Sequence, residues 1–157
     1  MKRNASSVPA SDEVYARLAR LCSAGEHCVW DVVQKMHRWG LSQAESDRIV
    51  DRLVDEKYID EERFARAYCN DRMRFSCWGR IKIAAMLRGM HVSDSAIRLG
   101  LEQLDVNEYR EVLGSVIERK DRTLAEDDPY RRRVRLIRFA AGRGFELEEI
   151  NKFLPED

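Results

Sequence analysis

The sequence predicts an all-α fold, an elongated tandem array of three three-helix repeats, winged-helix-like but without wings. Three observations predict it. Apolar residues recur at spacings of three and four along nearly the whole chain, whereas alternating runs are short and make poor strands. Only three prolines and eight glycines interrupt the 157 residues. Finally, one set of apolar positions returns about every 50 residues, the mark of a repeat architecture.

Nine helices are expected. Residues 1–10 are polar and read as a disordered N-terminal tail. The first three helices fall near 11–24, 27–39 and 43–57; Ser42 and Glu45 fit a capping box opening the third, and Gly40 ends the second. Three more fall near 60–75, 79–90 and 94–105. The last three fall near 107–124, 130–142 and 146–153, where Asp128-Pro129 combines an N-cap with proline at the first helical position. The repeats are therefore 11–59, 60–106 and 107–157.

The middle helices align on Gly40, His91 and Gly144, which are 51 and 53 residues apart. Four residues earlier stand Met36, Leu87 and Ala140; seven earlier Val33, Ala84 and Ile137; eight earlier Val32, Ile83 and Leu136; ten earlier Trp30, Ile81 and Val134. All are apolar, and the offsets of four, seven and eight share one helix face. In the third helices, Ile97 and Ile150 correspond at six residues past the aligned end, with Ile49 at nine. Modules of this size bury little surface alone, so they are expected to pack end to end, over on the order of 60 Å.

Composition narrows the function. An apolar fraction of 44% suffices for a core. No stretch approaches the ~20 apolar residues of a membrane span, and Met1 to Ala10 lack a signal peptide's apolar run, so a cytoplasmic chain is expected. Cys22, Cys28, Cys69 and Cys77 have neither zinc-ribbon nor C-x-x-C spacing, and read as reduced, partly buried small apolar residues. With His27, His37 and His91 they form no ligand pattern, and phosphate-binding glycine motifs are missing. No nucleophile, base and orienting group can be assembled. No catalytic residue, metal or cofactor is expected.

Charge is the strongest signal. The chain is neutral overall, yet residues 63–91 carry a net charge of +6 and 129–143 also +6, against −5 over 42–62 and −4 over 146–157. Arginine outnumbers lysine 22 to 6. Arginine is favoured where a planar fork must meet carboxylate or phosphate, so two surfaces for an acidic partner are expected. The competing use of these arginines is pairing with the modules' own acidic third helices. Phe64, Tyr68 and Phe75 read as a core stripe, while Trp78, before Gly79 at an inter-helix turn, reads as a contact.

The stretch Asp60-Glu61-Glu62-Arg63-Phe64-Ala65-Arg66-Ala67-Tyr68, followed by Trp78-Gly79-Arg80-Ile81-Lys82-Ile83 and Leu87, resembles the RecX family of recombinase regulators. His91 stands where that family has the glycine ending its basic helix, and a left-handed backbone costs histidine more than glycine. The resemblance implies tandem three-helix modules without enzymatic activity. It implies binding to the RecA recombinase filament, with damping of recombinase, ATPase and coprotease functions, and contact with single- or double-stranded DNA. A monomer without membrane association is expected. The residues expected to grip the partner are Arg72, Arg74, Trp78, Arg80, Lys82 and Arg88, then Arg131, Arg132, Arg133 and Arg135. The other reading is a stand-alone helix-turn-helix DNA-binding protein, although residues 79–91 lack the Asn or Gln that reads adenine.

Overall fold

A computed structural model describes residues 8–154; most of the expected tail, residues 1–7, lies outside them. Within the described residues the chain is a tandem array of helical triplets. These are α1 (Ser11–Ala24), α2 (Val29–Arg38) and α3 (Gln43–Asp55); α4 (Glu61–Ser76), α5 (Arg80–Gly89) and α6 (Asp94–Glu102); and α7 (Val106–Thr123), α8 (Pro129–Gly142) and α9 (Leu147–Phe153).

The repeat is physical as well as compositional. The residue ending each middle helix adopts a left-handed backbone, with φ of +86° at Gly40, +57° at His91 and +93° at Gly144. The next N–H then reaches back to the carbonyl five residues earlier, Leu41 to Met36 (3.1 Å), Val92 to Leu87 (3.1 Å) and Phe145 to Ala140 (3.2 Å). This is a Schellman stop, made three times. Leu41, Val92 and Phe145 are each buried beside it. His91 therefore accepts the strain that glycine avoids, and the helix end is unchanged.

Caps open the helices where short polar residues permit. Ser42, Asp60, Ser93, Asp105 and Asp128 each accept an N–H three residues on, at 3.3, 2.9, 3.3, 2.8 and 2.8 Å. Ser42 is the N-cap of α3, the first half of the expected capping box, and the Asp128-Pro129 reading holds. Helix α3 stops at Asp55, two residues short of expectation, because Lys57 turns left-handed (φ +66°) and Tyr58 N–H caps the Leu53 carbonyl. No glycine announces that stop.

The chain divides into two compact units, Met1–Phe64 and Ala65–Asp157. In the first, Val14, Leu18, Val32, Met36, Ile49 and Leu53 form the core. Arg63 closes its last turn, donating to Glu26 (2.5 Å) and to the carbonyls of Lys57 (3.0 Å) and Tyr58 (3.2 Å). Position 46 corresponds to Ile97 and Ile150 but holds a serine, fully buried with no hydrogen-bond partner for Oγ among the described residues. Val32, Ile83 and Leu136, like Met36, Leu87 and Ala140, are buried as their spacing requires, whereas Trp30 and Ile81, ten residues before the stop, are exposed.

The second unit joins two triplets through backbone. Gly79 N–H donates to the Arg143 carbonyl (2.8 Å) and Ile81 N–H to that of Gly144 (3.0 Å). A Cβ at Gly79 would overlap the Gly144 carbonyl, and one at Gly144 would overlap the backbone of Lys82, so both positions require glycine. Buried Tyr109 reinforces the joint: its hydroxyl accepts the Arg80 N–H (3.1 Å) and donates to Glu146 (2.7 Å). Burial, then the Glu146 hydrogen bond, pushes the phenol well above its ordinary range.

Candidate partner interface

The cations expected to meet a partner fall into two groups. Five are drawn toward the chain's own carboxylates. Arg74 forks onto Glu108, Nε at 2.5 Å and Nη2 at 3.1 Å, and this bond holds the Glu108 carboxyl below its usual range. Arg80 pairs with Glu146 at 2.9 Å, its guanidinium lying 3.9 Å from the Tyr109 ring centroid. Arg132 is a strut for the α7–α8 connection, meeting Asp121 at 2.6 Å and donating to the carbonyls of Asp121, Leu124 and Glu126. Arg135 meets Glu126 at 3.5 Å. Arg88 lies 3.7 Å from Asp94, with both side chains largely in solvent, a pairing worth little.

The other group has no carboxylate partner among the described residues. Trp78 has two cations beside it, the charged ends of Arg72 and Lys82 standing 5.8 and 4.6 Å from its ring centroid. Arg72 also donates to Ser76 Oγ (3.0 Å) and lies 5.5 Å from the Tyr68 ring, while its Nε is buried without a hydrogen-bond partner among the described residues. Arg131 is exposed, and its side chain has no ion pair among the described residues, while its backbone N–H donates to Asp128. Arg133 donates to the Leu154 carbonyl (2.7 Å), leaving its charge uncompensated by an acid. Arg72, Trp78 and Lys82 therefore form one cation–aromatic–cation cluster at the α4–α5 turn, with Arg131 and Arg133 a second basic surface on α8.

One aromatic departs from expectation. Phe75 is 79% exposed, not part of a core stripe. The buried face of α4 runs through Ala65, Cys69 and Met73, each four residues on, and Phe75 lies about 200° round the helix from Met73. Arg119 and Lys120, which stand with Phe75 around one groove, fall outside both basic blocks because Glu118 and Asp121 dilute the local charge.

Burial raises the Cys28 and Cys69 thiols to about 11, and Cys22 also upward. These three are buried and fit the small-apolar reading, whereas Cys77 is half-buried. Among the described residues no group of three or more His, Cys, Asp or Glu side chains is placed to hold a metal ion. No described helix is long and apolar enough to cross a membrane.

Helical triplets with one shared stop geometry, two of them joined by backbone, and cations without a carboxylate partner among the described residues define a tandem helical-repeat protein. Within that class the chain belongs to the RecX family: residues 60–101 match the family's second three-helix domain and residues 107–154 its third, together more than half the length. It is similar to the regulatory protein RecX of Clostridium tetani, 26% identical over 132 residues, covering 80% of this chain and 60% of that protein. It is 28% identical over 137 residues to regulatory protein RecX of Chlorobium phaeobacteroides, covering 87% and 88% of the two chains. The chain thus spans about three fifths of the first relative and most of the second. Two solved structures share the fold. A crystal structure of regulatory protein RecX superposes with a TM-score of 0.84 at 18% identity, over 93% of this chain and 73% of that one. RecX from Lactobacillus salivarius gives 0.80 at 16%, over 92% and 94%.

Proposed function

We propose that the chain is a non-catalytic regulator that binds the RecA–DNA filament and damps its recombinase, ATPase and coprotease activities. The observation carrying this reading is the set of cations without carboxylate partners among the described residues, Lys82 and Arg72 about Trp78, and Arg131 and Arg133 on α8. Family membership and the regulatory name of the relatives support it. The repeats act as modules 11–59, 60–106 and 107–157 of a cytoplasmic monomer, and binding through more than one module raises the effective concentration for each later one. Arg74, Arg80 and Arg132 serve this surface indirectly, by holding its elements in place. The stand-alone helix-turn-helix reading has less support, since Arg80, at the start of the basic helix, is engaged by Glu146 and Tyr109.

Added at stoichiometric amounts, the chain is expected to lower RecA's DNA-dependent ATP hydrolysis and strand exchange; unchanged rates would remove this reading. The Lys82→Glu/Arg131→Glu protein should inhibit roughly tenfold less well at equal concentration. Its helical circular dichroism should match that of the parent.

A further inference from the structure

Phe75 is the most exposed large apolar side chain among the described residues. It borders a groove of about 450 Å³ where the C-terminal ends of α4, α7 and α8 meet. Val116 and Phe139 supply further apolar lining, and Arg119, Lys120 and Arg143 supply the charge. Among the described residues no acidic side chain lines it. Lys120 Nζ and Arg143 Cζ lie 4.9 and 5.2 Å from the Phe139 ring centroid, so that ring is taken up by cations while Phe75 is left open. None of the three cations has a carboxylate partner among the described residues.

Three cations and an open aromatic face suit a ligand that is anionic at regular intervals and flat between them. Single-stranded nucleic acid has that chemistry; a duplex hides its base faces by stacking. An extended peptide is a poorer fit, because the walls are helices and present no strand edge with which it could pair. We propose that this groove binds single-stranded nucleic acid, with Phe75 stacking on a base while Arg119, Lys120 and Arg143 neutralise neighbouring phosphates. The inference deepens the regulator reading, resting on it for the DNA of a filament as the relevant strand.

Fluorescence anisotropy with labelled oligothymidine tests it on the intact chain. Wild-type protein binds the oligothymidine more tightly than a duplex of equal length. Phe75→Ala, an exposed change that leaves the fold alone, weakens binding roughly tenfold. Arg119→Gln/Lys120→Gln flattens the dependence of log affinity on log salt by about 0.7 for each phosphate no longer neutralised. Saturating oligothymidine also slows alkylation of Cys77, which lines the groove. Wild-type affinity in both variants overturns the proposal, as does an unprotected Cys77 or displacement of oligothymidine by a polyglutamate peptide at equal charge. Should the cations serve only to offset three helix C-termini, Arg143→Gln lowers stability and leaves binding untouched, which overturns it as well. The regulator reading is judged separately by RecA's ATP hydrolysis: inhibition retained by Phe75→Ala, with oligothymidine binding unaffected, removes the groove alone.

Discussion

His91 adopts the same left-handed backbone as Gly40 and Gly144. That conformation costs an L-residue with a Cβ on the order of 1 kcal/mol, partly offset in glycine by the greater freedom of its unfolded chain. His91→Gly is therefore expected to stabilise the protein by about 0.5 kcal/mol, read as a higher urea midpoint with an unchanged slope; a lower midpoint would show that the imidazole contributes something the backbone argument omits. The same scale separates the site residues. Arg72 and Arg80 look alike in the sequence, eight positions apart in one basic block, yet one lies against Trp78 and the other is claimed by Glu146. Charge counting identified the block, but it could not apportion the guanidinium groups, because Glu146 lies 66 residues from Arg80 along the chain.

At the scale of elements, periodicity placed the helices to within a residue or two at most ends, and tertiary packing chose their faces. Helix α4 shows the difference. Its aromatics suggested a stripe through Phe64, Tyr68 and Phe75; Phe64 is buried, but the buried face continues through Ala65, Cys69 and Met73, against α6, and leaves Phe75 in solvent. A Cβ on Gly100 would lie 3.0 Å from both the Ala65 carbonyl and Cys69 Sγ. The corresponding crossing of α7 and α9 exchanges the sizes: Gly114 receives the ring of Phe153. Two repeats thus fill one crossing with opposite pairings, which equal spacing alone does not foretell. The α4–α5 and α8–α9 turns meet through Gly79, Gly144 and the Tyr109 hydroxyl. Tyr109→Phe leaves the Arg80 N–H and Glu146 without that partner and should cost about 1–2 kcal/mol in urea unfolding. An unchanged midpoint would mean that solvent replaces both bonds.

Across the whole molecule, acids and bases balance in number, and several pairs meet over long sequence separations. Glu108 and Glu149 are held below the usual carboxyl range, chiefly by hydrogen bonds from Arg74 and Arg110. Lowered folded-state values mean that this stability is fully present above the unfolded carboxyl pKa, near 4.5, and is lost as pH falls through the folded values. Urea midpoints measured downward from pH 6 should decline less steeply in Glu108→Gln/Glu149→Gln than in the parent; parallel declines would show that other carboxylates govern acid unfolding. Helix positions, the threefold repeat and the segregation of charge were legible in the sequence alone, because helical periodicity, capping and charge density act among near neighbours. Which arginines stay available, which aromatic faces solvent and which glycines bring two turns together were decided only by the tertiary structure, because each depends on an atom brought close from a distant part of the chain.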